Sequence, residues 1–239
     1  MAAGGHKLAQ VRQRLAAAVK PGITTGDIER LANELIAKGG GKPSFKMVPG
    51  YHWATCLNVN EVVVHGIPGS RKLKTGDIMG IDVGLYYQGF HTDTSVTVPV
   101  GSPTASVQKF LETGRKALKL AIYQTKVDHR IQDLSKAMQQ TVEATGFSAV
   151  RALTGHGIGR HLHEEPPVPC FVVGPYARSP QLVVGMVLAI EVMYNQGGSE
   201  VVYQNADGWT IATADGKISG LFEETVAVTA KGPVVLTIA

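Results

Sequence analysis

Residues 73–98 read LKTGDIMGIDVGLYYQGFHTDTSVTV, and residues 182–192 read LVVGMVLAIEV. The second stretch repeats the frame of the start of the first: Leu73, Gly76, Ile78, Ile81, Asp82 and Val83 line up with Leu182, Gly185, Val187, Ile190, Glu191 and Val192, every pair offset by 109 residues. Each copy alternates as a strand does and carries one carboxylate at the same point among apolar neighbours. A buried carboxylate costs several kcal/mol unless it is paired or coordinated, so two acids in equivalent buried positions ask for a common explanation. A second echo, His65-Gly66-Ile67 against His156-Gly157-Ile158, is offset by 91 residues. Together they predict two similar halves about a pseudo-twofold axis, with an acid from each half meeting in the middle. No linker divides the halves, so residues 1–239 read as one catalytic domain.

Working outward, Ile78 to Val83, Phe90 to Val98, Val187 to Met193 and Leu221 to Val228 are the strongest strands. The spacing of Leu8, Val11, Leu15 and Val19 predicts a first helix. Thr24 or Thr25 can cap a second, which carries Ile28, Leu31, Ala32, Leu35 and Ile36 and ends at Gly39-Gly40-Gly41. Pro103 and Thr104 open a third helix. Ile131, Leu134, Met138 and Val142 mark a fourth, stopped by Gly146. Helices and hairpins come in blocks, which predicts an α+β fold with a largely antiparallel sheet.

Composition closes off other classes. Hydrophobic residues make up 44% and charged residues 18%, which excludes disorder as the dominant state. The longest nearly pure apolar run, Leu182 to Ile190, is half of the ~18 residues a membrane span needs. The net charge of +4 is spread over scattered basic residues, too little to make nucleic acid or lipid the partner. Two cysteines, Cys56 and Cys170, allow one disulfide at most. A reducing compartment, the cytoplasm, is therefore the expected location.

Strand parity says where the acids point. Asp82 shares a face with Gly80, Asp93 shares one with His91 and Ser95, and the neighbours Glu223 and Glu224 face opposite ways. No lysine or arginine lies near Asp82, Asp93 or Glu191 in sequence. Either a remote base pairs with each acid, or a strand is an exposed edge, or the acids hold metal. Several carboxylates and an imidazole without a thiolate cluster suit hard to borderline divalent ions. Four carboxylates are balanced by two such ions, a hydrolytic arrangement. The stretch Thr154-Gly155-His156-Gly157-Ile158-Gly159-Arg160-His161-Leu162-His163-Glu164-Glu165-Pro166 adds three histidines among glycines that permit close approach. Other motifs fail. Gly39 to Ser44 lacks the residues of a phosphate loop, His163-Glu164 is followed by prolines instead of a zinc-protease helix, and no Gly-x-Ser-x-Gly occurs.

At these residues the sequence resembles the type I methionine aminopeptidases of the pita-bread (creatinase/aminopeptidase) fold. The resemblance runs from about Ala3 to Thr229, starts inside what is usually the family's first helix, and so implies that this helix is short. It is carried by Val19-Lys20-Pro21-Gly22, Asn60 to Pro68, Gly80-Ile81-Asp82-Val83, Gly89 to Ser95, Gly155 to Gly159 with Glu164-Glu165-Pro166, Asp207-Gly208-Trp209-Thr210 and Phe222-Glu223-Glu224-Thr225. It implies a central antiparallel sheet covered by helices and a site for two divalent metal ions (Mn, Fe, Co or Zn). The implied ligands are Asp82, Asp93, His156, Glu191 and Glu223, with Asp93 and Glu223 bridging. Glu191 is implied as proton acceptor for the attacking water, His163 as partner of the substrate carbonyl, and His65 as neighbour of the substrate amide. Tyr51, Cys56, Leu162 and Trp209, with His65 and His163, would form the substrate pocket, its soft walls suited to a thioether. The implied activity is removal of the initiator methionine from peptides and nascent proteins with a small second residue. The ribosome is a further partner under this reading, and monomer is the simplest state. The sequence departs from the family pattern at Val192, where proline is usual, at Glu224, where histidine is common, at Leu162, where an aromatic is common, and at Val48, where tyrosine is common.

Two alternatives share the fold. Xaa-Pro peptidases normally carry an additional N-terminal domain, which is absent from these residues. Inactive pita-bread modules that bind partners typically lose ligands, and all five are present. The 27 residues between His163 and Glu191 and the 31 between Glu191 and Glu223 leave no room for the helical insertion of type II enzymes.

Overall fold

The computed structural model describes all 239 residues. Its helices are α1 (Ala2–Ala18), α2 (Thr25–Lys38), α3 (Ala105–Gln124) and α4 (Ile131–Glu143). Its strands begin with β1 (Lys42–Pro43), β2 (Thr55–Val59), β3 (Val62–Val64), β4 (Ile78–Tyr87) and β5 (Phe90–Pro99). There follow β6 (Ser148–Ala149), β7 (Thr154–Gly157), β8 (Glu164–Pro169) and β9 (Val187–Asn195). The last are β10 (Val201–Tyr203), β11 (Ile211–Thr213), β12 (Ser219–Thr229) and β13 (Gly232–Val235). No helix is long and apolar enough to cross a membrane.

Local chemistry sets the helix ends. The Thr24 hydroxyl accepts from the Asp27 amide at 3.0 Å while the Asp27 carboxylate accepts from the Thr24 amide at 3.0 Å, a reciprocal cap. Thr104 caps α3 through the Val107 amide. The first helix is not short. It runs 17 residues, and its first turn packs closely at Gly5, where a Cβ would stand 2.3 Å from the Leu236 carbonyl oxygen. Val19 falls outside it, in extended conformation at the C-cap.

Ten strands form one sheet with β1-β4-β5-β12-β9-β7-β8 as its main path and β2, β6 and β13 at its sides; β10-β11-β3 form a second, small sheet. Every pairing is antiparallel. The order is symmetric about the β5–β12 seam. On one side α1 and α2 bury Leu8, Leu15, Ile28 and Ile36 against Met79, Ile81 and Val83 of β4. On the other, α3 and α4 bury Phe110, Leu111, Leu134 and Met138 against Leu188, Ile190 and Val192 of β9. The 109-residue repeat is thus a structural one, β4 on β9. The His-Gly-Ile echo is not. Gly80 of β4 faces Asn58, while its equivalent, Ala189, faces His156; the counterpart of His156 is therefore Asn58. His65 lies after β3 with φ +57°.

Candidate active site

Antiparallel partners directly opposite each other point to the same face. The register runs Cys56↔Asp82, Asp82↔Ser95, Ser95↔Glu223 and Glu223↔Glu191 across β2, β4, β5, β12 and β9. Three acids therefore stand in one row on one face. Asp93 is two residues from Ser95, and His156 lies opposite Ala189, two residues from Glu191, so both join that face. Candidate ligand atoms of Asp93, His156 and Glu223 all lie within 4.8 Å of one another. Asp82 and Glu191 flank this trio and line the same cavity of about 560 Å³.

No base neutralises these acids. The molecule's four salt bridges are Arg12–Glu224, Arg30–Asp27, Arg71–Glu61 and Arg151–Glu143, and none touches the row. Of the neighbouring pair, Glu224 finds its arginine and Glu223 does not. Burial pushes the Asp82 carboxyl up to about 7. Burial, then the charges of Asp82 and Glu191, hold Asp93 well above the usual carboxylate range. Glu223 and Glu191 are raised first by burial and then by their acidic neighbours. The buried Oδ1 of Asp82 has no hydrogen-bond partner. Facing carboxylates with an orphaned oxygen fit a divalent cation.

Histidine geometry agrees. His156 Nδ1 lies 2.8 Å from the Gly157 carbonyl oxygen, which makes Nδ1 the donor and leaves Nε2 free as a ligand. Burial lowers its pKa to about 4, so the ring is neutral near pH 7. The glycines on either side are sterically required: a Cβ on Gly155 would stand 2.5 Å from the Ala189 oxygen, and one on Gly157 2.2 Å from the Glu165 oxygen. The His163 ring meets the His156 ring edge-on with centroids 4.5 Å apart. Glu164 accepts from the His161 amide at 2.8 Å and closes the turn that presents Leu162 and His163. Burial also lowers the pKa values of His65 and His163.

The cavity's other wall is apolar. Phe45, Tyr51, Cys56, Ile158, Leu162 and Ala189 form a small core of their own, with Val48 and Trp209 packed against it. Tyr51 meets Trp209 edge-to-face at 5.1 Å, and its hydroxyl lies 2.9 Å from the Thr55 oxygen and 3.2 Å from Cys56 Sγ. Asp207 accepts from the amides of Trp209 and Thr210 at 2.8 and 2.9 Å, an Asx turn that aims the indole. His65 stands edge-on to that indole at 6.3 Å.

Every residue singled out from the sequence lines this cavity: Asp82, Asp93, His156, Glu191 and Glu223 on one side, Tyr51, Cys56, His65, Leu162, His163 and Trp209 on the other. Sequence reasoning missed Phe45, Val64, Leu153 and Met193, which line it too. Met193 was legible, since two residues beyond Glu191 on a strand means the same face; Phe45, in a one-turn 3₁₀ helix, gave no periodic signal.

Comparison with known proteins accords with this geometry. The pattern of metallopeptidase family M24 matches residues 1–230. The chain is 45% identical to a methionine aminopeptidase of Clostridium perfringens, over 100% of its own length and 94% of the relative's. It superposes on a solved methionine aminopeptidase of Thermotoga maritima with a TM-score of 0.96 and 40% identity, covering 100% of this chain and 95% of that one. A prolidase of Pyrococcus furiosus matches with a TM-score of 0.80 at 19% identity, over 100% of this chain and 62% of that one, which shows a shared fold. That fold is the pita-bread α+β architecture.

Proposed function

The chain belongs to metallopeptidase family M24, and on that premise we propose that it acts as a metal-dependent aminopeptidase that removes the initiator methionine from peptides and nascent proteins whose second residue is small. The observation that carries this reading is the row of uncompensated carboxylates, Asp82, Glu223 and Glu191 with Asp93 beside them, facing an apolar cavity of about 560 Å³. Asp82, Asp93, His156, Glu191 and Glu223 would hold two divalent ions, manganese, iron, cobalt or zinc. Bound there, the ions would polarise the scissile carbonyl and supply a water nucleophile at neutral pH.

The chain's own groups do the rest. Glu191, at the end of the row, accepts the proton of the attacking water. His163 donates to the substrate carbonyl as negative charge develops on it, and His65 faces the leaving amide nitrogen. Tyr51, Cys56, Leu162 and Trp209 enclose the methionine side chain. A free α-amine on the substrate would bind one of the ions, which restricts the site to N-termini. We take residues 1–239 as one catalytic unit, because the ten-stranded sheet runs through both halves. We place it in the cytoplasm as a monomer meeting chains at the ribosome; its two cysteines are free and buried, in keeping with a reducing compartment.

The test is metal-loaded protein against Met-Ala-Ser, Met-Lys and Ala-Pro peptides, with metal content counted by elemental analysis. Methionine released from Met-Ala-Ser alone, with two ions per chain, supports the proposal. Preference for Ala-Pro favours an Xaa-Pro peptidase. No turnover on any of them, with metal bound, favours a binding module.

A further inference from the structure

The β5–β12 seam is where the two halves join and where Asp93 faces Glu223. It is built unlike the rest of the sheet. Between β4 and β5 the backbone register runs unbroken from Ile78↔Pro99 to Tyr87↔Phe90. Across the seam it holds only at Glu223↔Ser95 and Glu224↔Thr94. Beyond those pairs threonine hydroxyls stand in the ladder. Thr97 Oγ1 donates to the Leu221 oxygen at 2.8 Å and accepts from the Leu221 amide at 2.9 Å. Thr225 Oγ1 donates to the Asp93 oxygen at 2.7 Å and accepts from the Asp93 amide at 2.9 Å. Inserting a side chain into a ladder widens it, so backbone pairing alone does not set the distance between the halves beside Asp93.

One side chain spans this seam from behind. Arg12 leaves α1, which packs on β4 and β5, and its guanidinium reaches across to β12. Nη1 donates to Glu224 Oε1 at 2.8 Å, to the Glu223 carbonyl oxygen at 3.4 Å and to Thr94 Oγ1. Nη2 donates to the Thr237 carbonyl oxygen at 3.4 Å. Thr94 follows Asp93 and its amide donates to Asp93 Oδ1 at 2.9 Å; its hydroxyl lies 2.9 Å from the Glu223 oxygen. Thr237 Oγ1 donates to the other Glu224 oxygen. Arg12 and Glu224 keep only 15% and 18% of their side-chain exposure, so the fork is held away from water, where its geometry is stiff. Glu224 is also the position at which the sequence departs from its family's usual histidine.

We propose that Arg12 is a positioning residue that clamps the seam through Glu224 and Thr94, sets the spacing of the facing carboxylates Asp93 and Glu223, and thereby governs uptake of the second metal ion. This rests on the reading of that site as a two-metal centre. Arg12 touches neither substrate nor ligand oxygens. It acts through the residues that follow Asp93 and Glu223 in the chain.

The test uses the full chain, stripped with chelator and titrated with Mn²⁺ by calorimetry, alongside electron paramagnetic resonance of the Mn²⁺-loaded protein and steady-state kinetics on Met-Ala-Ser. Arg12→Met leaves Glu224 largely buried without its counter-charge and endangers folding, so the double variant Arg12→Met/Glu224→Gln accompanies it. The expected result is two Mn²⁺ bound by the natural protein, the second weakened by ~10–100-fold in the double variant, as outer partners of ligands typically contribute. Loss of the spin-coupled signal and a fall in kcat with little change in KM should accompany it. A purely structural role would lower the melting temperature and leave both affinities within twofold, which overturns the clamp while the two-metal reading stands. Fewer than two ions in the natural protein overturns that reading, and the inference with it.

Discussion

Metal removal should make this protein less stable as pH rises through neutrality, the reverse of what ordinary salt-bridged acids produce. The perturbation is exhaustive chelation, and the cause is the uncompensated row. A group whose folded pKa is raised binds more protons folded than unfolded, so stability is lost as pH climbs towards the folded value. Asp82 goes from 3.8 to about 7, and Asp93, Glu191 and Glu223 are raised as well. The buried histidines work the other way: His156 falls from 6.5 to about 4, and His65, His91 and His163 are lowered too. Their contribution is lost as pH falls through the unfolded value of 6.5, so it masks the acids below about pH 7.5. The two buried thiols are pushed up, Cys170 to about 12, and would add their own slope near pH 9. The clean window is pH 7.5 to 8.5, above the histidines and below the thiols. Across it each acid still protonated should cost about 1 kcal/mol. At ~2–4 °C per kcal/mol for a chain of this size, the melting temperature of chelated protein should fall by about 2–4 °C for each such acid from pH 7.5 to 8.5. Calorimetry at fixed ionic strength reads this, and added Mn²⁺ should abolish the fall. A flat or rising melting temperature in the metal-free protein would refute the claim that these acids lack a protein partner.

Other substitutions test separate parts of the structure. Asp93→Ala should lose at least one bound ion and nearly all turnover; elemental analysis and peptide cleavage check this, and full metal content with retained turnover contradicts it. Leu162→Ala enlarges the apolar wall, so kcat/KM for methionyl peptides should fall ~10–200-fold with metal content unchanged. Gly114→Ala places a methyl 2.4 Å from a Phe222 ring carbon and 2.6 Å from the Tyr194 hydroxyl; overpacking α3 on β12 should cost ~1–3 kcal/mol in denaturant melts, while folded protein keeps its metal affinity.

What was legible in the sequence was whatever repeats with a period. The strands around Asp82 and Glu191 are short apolar runs, each holding one acid, and they are buried on both faces; the capped helices carry their apolar residues every three or four positions because one face is buried. The alignment of Asp82, Glu223 and Glu191 in one row was not legible, since strand register depends on pairings between residues more than a hundred positions apart. For the same reason the Arg12–Glu224 pair could not be read: nothing local distinguishes Arg12 from Arg14. The His-Gly-Ile echo misled because it matched letters without matching strand positions. The first helix proved longer than expected; its first turn packs through Gly5 on Leu236 and through Gly4 on Tyr87, contacts with no local signal.

The broken symmetry is as informative as the repeat. Each half supplies two carboxylates, but only Asp82 and Glu191 are counterparts: with β4 laid on β9, the pairings set Ser95 in the place of Glu223 and Leu221 in the place of Asp93. The halves differ at a further point. Asn58 occupies in the first the position that His156 occupies in the second, and Asn58 turns its Oδ1 away to accept from the Gly66 amide at 2.9 Å. The second half can therefore offer an imidazole nitrogen where the first offers none. Two ions held by such a set would sit in unlike fields, one among carboxylates only and one with a borderline nitrogen ligand. The asymmetry extends along the cavity, because the stretch that carries His156 also carries Leu162 and His163, against the apolar wall. The repeat thus supplies one acid from each half, and the departures from it supply the other two acids and the imidazole.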